Sequence, residues 1–182
     1  MQQGNFKSTN IILIGMMGSW KSTVGKKIAN MLNLKFIDTD DEIEECTGME
    51  ISEIFREYGE KRFGDMEVAF FTEKAKKFGQ VFSTGGGVVL RLENRNILRD
   101  VGISFFLKAS PKVLAKRIKN TNRRPLLDGT QSLENKLTDI WLERKKYYLD
   151  CANHIINTDY LNSDEVVDKI KYILEIEYSE KS

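Results

Sequence analysis

The chain has 182 residues, 41% of them hydrophobic and 30% charged, which is the balance of one globular domain with a sizeable core and not of a disordered chain. Lys and Arg total 28 against 27 for Asp and Glu, a net charge of +1, so no overall field points to nucleic acid or an anionic membrane as partner. No apolar run approaches the ~18 residues that cross a bilayer, the polar stretch from Met1 to Thr9 has no signal-peptide core, and Cys46 and Cys151 stand far apart with no metal-ligand spacing. These features suit a cytoplasmic single domain, 1–182, working as a monomer.

Asn10–Ile14 (NIILI) is a short β-branched apolar run and reads as a buried strand. A glycine-containing loop leads into Lys21–Leu32, where Val24, Ile28 and Leu32 recur every four residues, as in a helix that buries one face. Lys35–Asp38 is a second strand. The stretch from Asp41 to Phe78 is helical, with breaks near Gly48 and Gly59. Gln80–Ser83 is a third strand and ends in Gly85-Gly86-Gly87. Arg91–Arg99 is a short helix and Ile103–Leu107 a fourth strand. Ser110 and Pro111 open the next helix as N-cap and first position. Residues 120–131 are polar and basic and form a loop, Ser132–Leu149 is helical, and His154–Asn157 is a last strand. The only histidine, His154, reads as a strand-start residue and not as a base or ligand. Asn162 with Glu165 makes a capping box for a terminal helix that runs through Ile176.

Strands alternating with helices imply an α/β fold: a five-stranded parallel sheet with helices on both faces. Ligands of such folds bind beyond the carboxyl ends of the strands. The motifs of this chain fall there, after the first, second and third strands.

The segment Gly15-Met-Met-Gly18-Ser19-Trp20-Lys21-Ser22-Thr23 nearly matches the phosphate-loop pattern G-x-x-x-x-G-K-[ST]. Glycines let the backbone curl so that successive N–H groups face phosphate oxygens, and the following helix adds a favourable dipole. Lys21 suits the lysine that reaches the outer phosphates, and Ser22 suits the hydroxyl that holds magnesium. Trp20 occupies the pattern's final glycine, where a residue with a Cβ loses ~1–2 kcal/mol if φ must be positive. Asp38 and Asp40 are two residues apart, so a continuing strand would point both side chains the same way; the plainer alternative is two solvated loop aspartates, one of them capping a helix.

Four segments taken together carry a specific resemblance: Asp38-Thr39-Asp40, Gly85-Gly86-Gly87-Val88-Val89, Arg123-Arg124-Pro125-Leu126-Leu127 and Arg144-Lys-Lys-Tyr-Tyr148. With the phosphate loop, they make the chain resemble the shikimate kinases from about Asn10 to Ile176. The resemblance implies a phosphate-loop fold like that of nucleoside-monophosphate kinases. It also implies transfer of the ATP γ-phosphate, with Mg2+, to the 3-hydroxyl of shikimate on the route to chorismate and the aromatic amino acids. Gly18, Ser19, Trp20, Lys21, Ser22 and Thr23 would cradle the phosphates. Asp38 would order the magnesium shell with Ser22 and lie near the reacting hydroxyl. Asp40 would bind shikimate hydroxyls, Gly86 would let backbone approach the ring, and Arg144 would pair with the carboxylate. Arg124 would close over the phosphates from a lid of about 120–132, and Arg117 with Asn157-Thr158 would border the adenine. Residues about 39–66 would form the substrate-binding helical region.

The family carries an arginine in an F-R-x-x-E segment that helps hold the substrate carboxylate. Here the segment reads Phe63-Gly64-Asp65-Met66-Glu67, so the arginine is Gly64. Lys61, three residues earlier on the same helical face, is a candidate substitute, and the sequence offers no packing reason for Gly64. Trp20 and Gly64 keep an alternative open, a kinase-like protein that binds without efficient turnover. A kinase for an acceptor lacking a carboxylate is a third reading, opposed by Arg144 and the Asp-Thr-Asp segment.

Overall fold

The computed structural model describes residues 8–119, 125–127 and 131–179. Five parallel strands, β1 (Asn10–Ile14), β2 (Lys35–Asp38), β3 (Gln80–Ser83), β4 (Gly102–Lys108) and β5 (His154–Asn157), form one sheet in the order β2-β3-β1-β4-β5. Around it lie α1 (Lys21–Leu32), α2 (Thr39–Thr47), α3 (Ile51–Lys74), α4 (Leu92–Asp100), α5 (Pro111–Arg117), α6 (Leu133–Cys151) and α7 (Ser163–Ser179).

The central strand β1 explains why its sequence is apolar throughout. Ile11 and Leu13 pack with Val24 and Ile28 of α1 and Val166 and Ile170 of α7. Ile12 and Ile14 pack with Phe71 of α3 and Tyr148 of α6 on the other face. Both faces of the sheet are therefore covered, as the strand–helix alternation predicts. Asn10 is fully buried, yet its amide is satisfied: Nδ2 donates to the carbonyls of Lys77 and Val101, and Oδ1 accepts from Gln80 N. This one side chain joins the start of β1 to its neighbours on both sides. β1 lies between β3 and β4, with the earlier strand β2 beyond β3 and the later strand β5 beyond β4, so the strand order switches at β1 and the crevice of the fold opens beyond its end.

The predicted helical stretch 41–78 is two helices. Gly48, at φ 69°, ends α2 in the left-handed conformation, and Gly59, at φ 74° and ψ 168°, kinks α3. The α2 helix begins at Thr39 because Asp38 caps it, its Oδ1 accepting from Asp40 N at 3.2 Å. Ser110 occupies the N-cap position before Pro111, but its side chain makes no capping bond. The Asn162–Glu165 capping box forms with both reciprocal bonds. His154 opens β5, stacks on Phe105 and meets Glu177 Oε1 at 2.5 Å, a structural contact. Of the expected lid, Arg123 and Arg124 lie outside the described residues; Pro125–Leu127 is a 3₁₀ turn tied down by Lys136 Nζ donating to Leu127 O at 2.6 Å. No described helix is long and apolar enough to cross a membrane.

Candidate active site

The loop between β1 and α1 needs its glycines. A Cβ on Gly15, at φ 149°, would come within 2.8 Å of Leu107 O, and one on Gly18, at φ 80°, within 2.9 Å of Ile118 Cγ1. Trp20 stands at φ 70° and ψ 17°, immediately before α1, so the final-glycine position does require the left-handed region. The strain is offset by a contact. The Arg117 guanidinium lies 3.4 Å from the centre of a Trp20 ring, and Arg117 is itself fixed by donating to Thr158 Oγ1 at 2.9 Å and Thr158 O at 2.5 Å. Trp20→Ala removes this contact and keeps the strained Cβ, whereas Trp20→Gly removes both. The glycine variant is expected to be more stable than the alanine variant by about 1 kcal/mol, read by thermal unfolding. Equal melting temperatures would show that the backbone at residue 20 carries no strain.

The N-terminus of α1 has no capping side chain and no acidic residue in its first turn, which leaves its amides and dipole to an anion. Ser19 Oγ is buried without a protein partner at the same turn. Lys21 Nζ is buried and donates to Gly15 O at 2.8 Å and Met16 O at 2.9 Å, which holds the ammonium inside the loop. Ser22 Oγ donates to Asp38 Oδ2 at 2.6 Å and lies 3.1 Å from Ser83 Oγ. The ends of β2 and β3 thus meet the first turn of α1 at Ser22.

Asp38 and Asp40 both line the cleft, but not by strand alternation. The strand stops at Asp38, and Asp40 is in the first turn of α2. Asp38 caps the helix and reaches Ser22 with its other oxygen, so it is a helix cap and a site residue at once. Asp40 and Glu67 converge: a Cβ on Gly85 would come within 2.7 Å of Asp40 Oδ1 and 2.8 Å of Glu67 Oε1, and both oxygens are buried without a hydrogen-bond partner. Burial first, and the charge of Asp38 second, push the Asp40 carboxyl up to about 6. Burial and then the charge of Asp40 push Glu67 well above the ordinary carboxylate range. Gly85 is the glycine whose missing Cβ makes room for these carboxylates. Gly86 also lines the cleft, with no neighbour closer than 3.6 Å to a built Cβ, and its carbonyl accepts from Tyr148 OH at 2.5 Å.

At the far end of the cleft, Arg144 is buried and donates from Nη2 to Glu60 Oε1 at 2.9 Å, while its Nε has no partner. Gly64 has the packing reason that its sequence context hid: a Cβ there would stand 2.8 Å from Arg91 Nε. Lys61 also lines the cleft, and its carbonyl accepts from Arg91 Nη2 at 2.7 Å. Arg91 and Glu60 carried no recognisable signal in the sequence, and Tyr148 and Glu67 carried only a motif match without a role. The cleft that joins these groups has a volume of about 760 Å³ and runs from the phosphate loop through Asp38 and Asp40 to Gly86, Arg91 and Arg144, with Arg117 on its border.

A phosphate-binding turn at one end of a cleft and a carboxylate-and-arginine pocket at the other define an ATP-dependent kinase of a small polar acceptor. The comparisons with known proteins agree. The family model "Shikimate kinase" matches residues 17–175. A shikimate kinase of Thermodesulfovibrio yellowstonii is 44% identical over 161 residues, 88% of this chain and 92% of the relative. The solved structure of a shikimate kinase from Acinetobacter baumannii in complex with shikimate superposes with a TM-score of 0.90 at 32% identity, covering 96% of this chain and 98% of that one. A deoxyadenosine kinase from M. mycoides, 17% identical with a TM-score of 0.59 over 92% of this chain and 99% of its own, shares the fold alone. This chain belongs to the shikimate kinase family.

Proposed function

We propose that this protein transfers the γ-phosphate of ATP to the 3-hydroxyl of shikimate, as a cytoplasmic monomer. The observation that supports this most is the single cleft in which Lys21 and Arg144, buried cations from distant parts of the chain, face a pair of aspartates between them. Phosphoryl transfer is mostly positioning and charge neutralisation. The amides from Gly18 to Thr23 cradle the phosphates, Lys21 leaves its loop carbonyls for the outer phosphates, and Arg117 borders the adenine. Arg124 closes over the phosphates from the lid. Asp40 accepts from shikimate hydroxyls, the Gly86 backbone borders the ring, and Arg144 exchanges Glu60 for the substrate carboxylate. The hydroxyl oxygen bonds to the γ-phosphorus as the bond to the β–γ bridging oxygen breaks, and its proton passes toward Asp38.

Ser22 and Asp38 are the residues that would hold Mg2+. Their oxygens are 2.6 Å apart, a hard-oxygen pair. Magnesium is usually held by one or two carboxylates together with substrate phosphates and water, so this donor set fits it. When bound, the ion would neutralise charge on the phosphates.

Both departures from the family pattern have structural partners, Trp20 on Arg117 and Gly64 beneath Arg91, which favours an active enzyme over an inactive homologue. A coupled assay with ATP, Mg2+ and shikimate is expected to give turnover in the ordinary kinase range of about 1–100 s⁻¹. An inert wild-type chain that gains turnover on Trp20→Gly would overturn this reading.

A further inference from the structure

We propose that Arg91 is a second binding residue for the acceptor's carboxylate, acting with Arg144, and that Gly64 lacks a side chain so that Arg91 can lie there. The inference rests on the shikimate kinase reading and adds a residue to its acceptor site.

The geometry comes from α3 and the turn after β3. Arg91 follows the 3₁₀ turn Val88–Leu90 and stands just before α4. Its side chain crosses to α3, where Nε is 2.8 Å, Cγ 3.5 Å and Cζ 3.6 Å from the point a Gly64 Cβ would occupy. Any side chain at residue 64 must displace it. Nη2 donates to Lys61 O and to Asp65 Oδ1, both at 2.7 Å, and these two bonds aim the guanidinium along the helix. Arg91 lines the same cleft as Arg144. Arg144 is held by Glu60, one turn before Gly64 on the same face of α3. Both arginines therefore line the same cleft and are tied to the same stretch of α3, Arg144 through Glu60 and Arg91 through Lys61 and Asp65. Two guanidinium groups in one cleft suit a single carboxylate received by both.

Both cations have acidic partners that an entering anion can replace. The Asp65 and Glu60 side chains are each 46% exposed, whereas the Arg144 side chain is 3% exposed. An ion pair with an exposed carboxylate is weak, so exchanging it for a carboxylate enclosed in the cleft costs little. Guanidinium groups bind carboxylates through two parallel bonds, a selectivity that Lys61 cannot reproduce.

The test uses the whole chain and two acceptors, shikimate and its uncharged methyl ester. Arg91→Met is expected to raise KM for shikimate about ten- to hundredfold, more than it lowers kcat, as loss of a charge-assisted contact predicts. It should leave KM for the methyl ester and for ATP nearly as in the wild type. Arg91→Lys should recover only part of the loss. Gly64→Ala is expected to raise the melting temperature, because alanine favours the helix, and yet to raise KM for shikimate by displacing Arg91. Equal losses on shikimate and its ester would mean that Arg91 merely props α3, and the proposal would fall. An unchanged KM for shikimate in an active Arg91→Met enzyme would overturn it while leaving the kinase reading intact. A wild-type chain that does not phosphorylate shikimate would overturn both.

Discussion

Lys21→Ala is expected to reduce phosphoryl transfer by at least on the order of 10³-fold with the fold retained. The lysine is buried at the mouth of α1, and its ammonium is held by Gly15 O and Met16 O. Those bonds keep a buried cation satisfied, but they also fix its position over the place where the phosphates enter. Removing it deletes two charge-assisted bonds, about 1.5–3 kcal/mol each by the usual scale, and also deletes the desolvation cost of the buried charge. The opposing effects leave a small net change in stability, within about 2 kcal/mol. Circular dichroism and thermal unfolding check the fold, and steady-state turnover with saturating ATP checks the chemistry. Turnover at the wild-type rate would remove Lys21 from the mechanism and the loop from its role.

Asp40→Asn is expected to act in opposite directions on stability and activity. The Asp40 carboxyl is pushed up to about 6 by burial and by the charge of Asp38. The folded state therefore holds this proton more tightly than the unfolded chain does, where the ordinary value is 3.8. Between those values the native protein binds more protons, so the contribution of Asp40 to stability falls as pH rises, and the full cost is present above about pH 6. Asparagine removes that cost, about 2–3 kcal/mol at 1.36 kcal/mol per pH unit. Denaturant unfolding of the ligand-free protein should show Asp40→Asn more stable than wild type at pH 8, with the difference shrinking toward pH 4. The same variant loses the charge proposed to accept from the acceptor hydroxyls, and kcat/KM for shikimate should fall about 10²-fold or more. A gain in stability that does not vary with pH would assign the effect to packing. Unimpaired kcat/KM would remove Asp40 from the acceptor site.

Glu67 shows why such a site is costly to build. It is fully enclosed beneath Gly85 with Asp40 beside it, and burial holds its carboxyl well above the ordinary range. The neighbouring arginines lower it, but less than burial raises it. Two carboxylates at close quarters cannot both ionise cheaply, so the proton that Glu67 keeps favours the charge on Asp40. The missing Cβ of Gly85 is what lets the pair form in the wall of the cleft.

The strands were legible because each is a short apolar run whose alternate residues must face two different helical layers. β1, β2, β3 and β5 run over the expected residues, and β4 gains one at each end. The breaks at Gly48 and Gly59 were legible for a local reason: both backbones take positive φ, which glycine adopts without steric cost. The start of α2 was not, because the Asp38 side chain competes for the helix terminus and pulls Asp40 out of the extended register.

Sequence alone determined the parallel sheet by its periodicity and marked the phosphate loop and the two aspartates by residue types at fixed local spacing, whereas Arg144 was marked only by the resemblance to the shikimate kinases. It also marked Trp20 and Gly64 as departures. Only the tertiary structure decided what stands against them. The Trp20 ring meets Arg117 from a helix at the opposite side of β1, and Gly64 meets Arg91 from beyond β3. Such contacts join residues far apart in the chain and depend on the direction of single side chains, which no local pattern encodes. The absence of a side chain at Gly64 reads in sequence as a weakened helix; in the fold it is the space through which an arginine reaches the cleft.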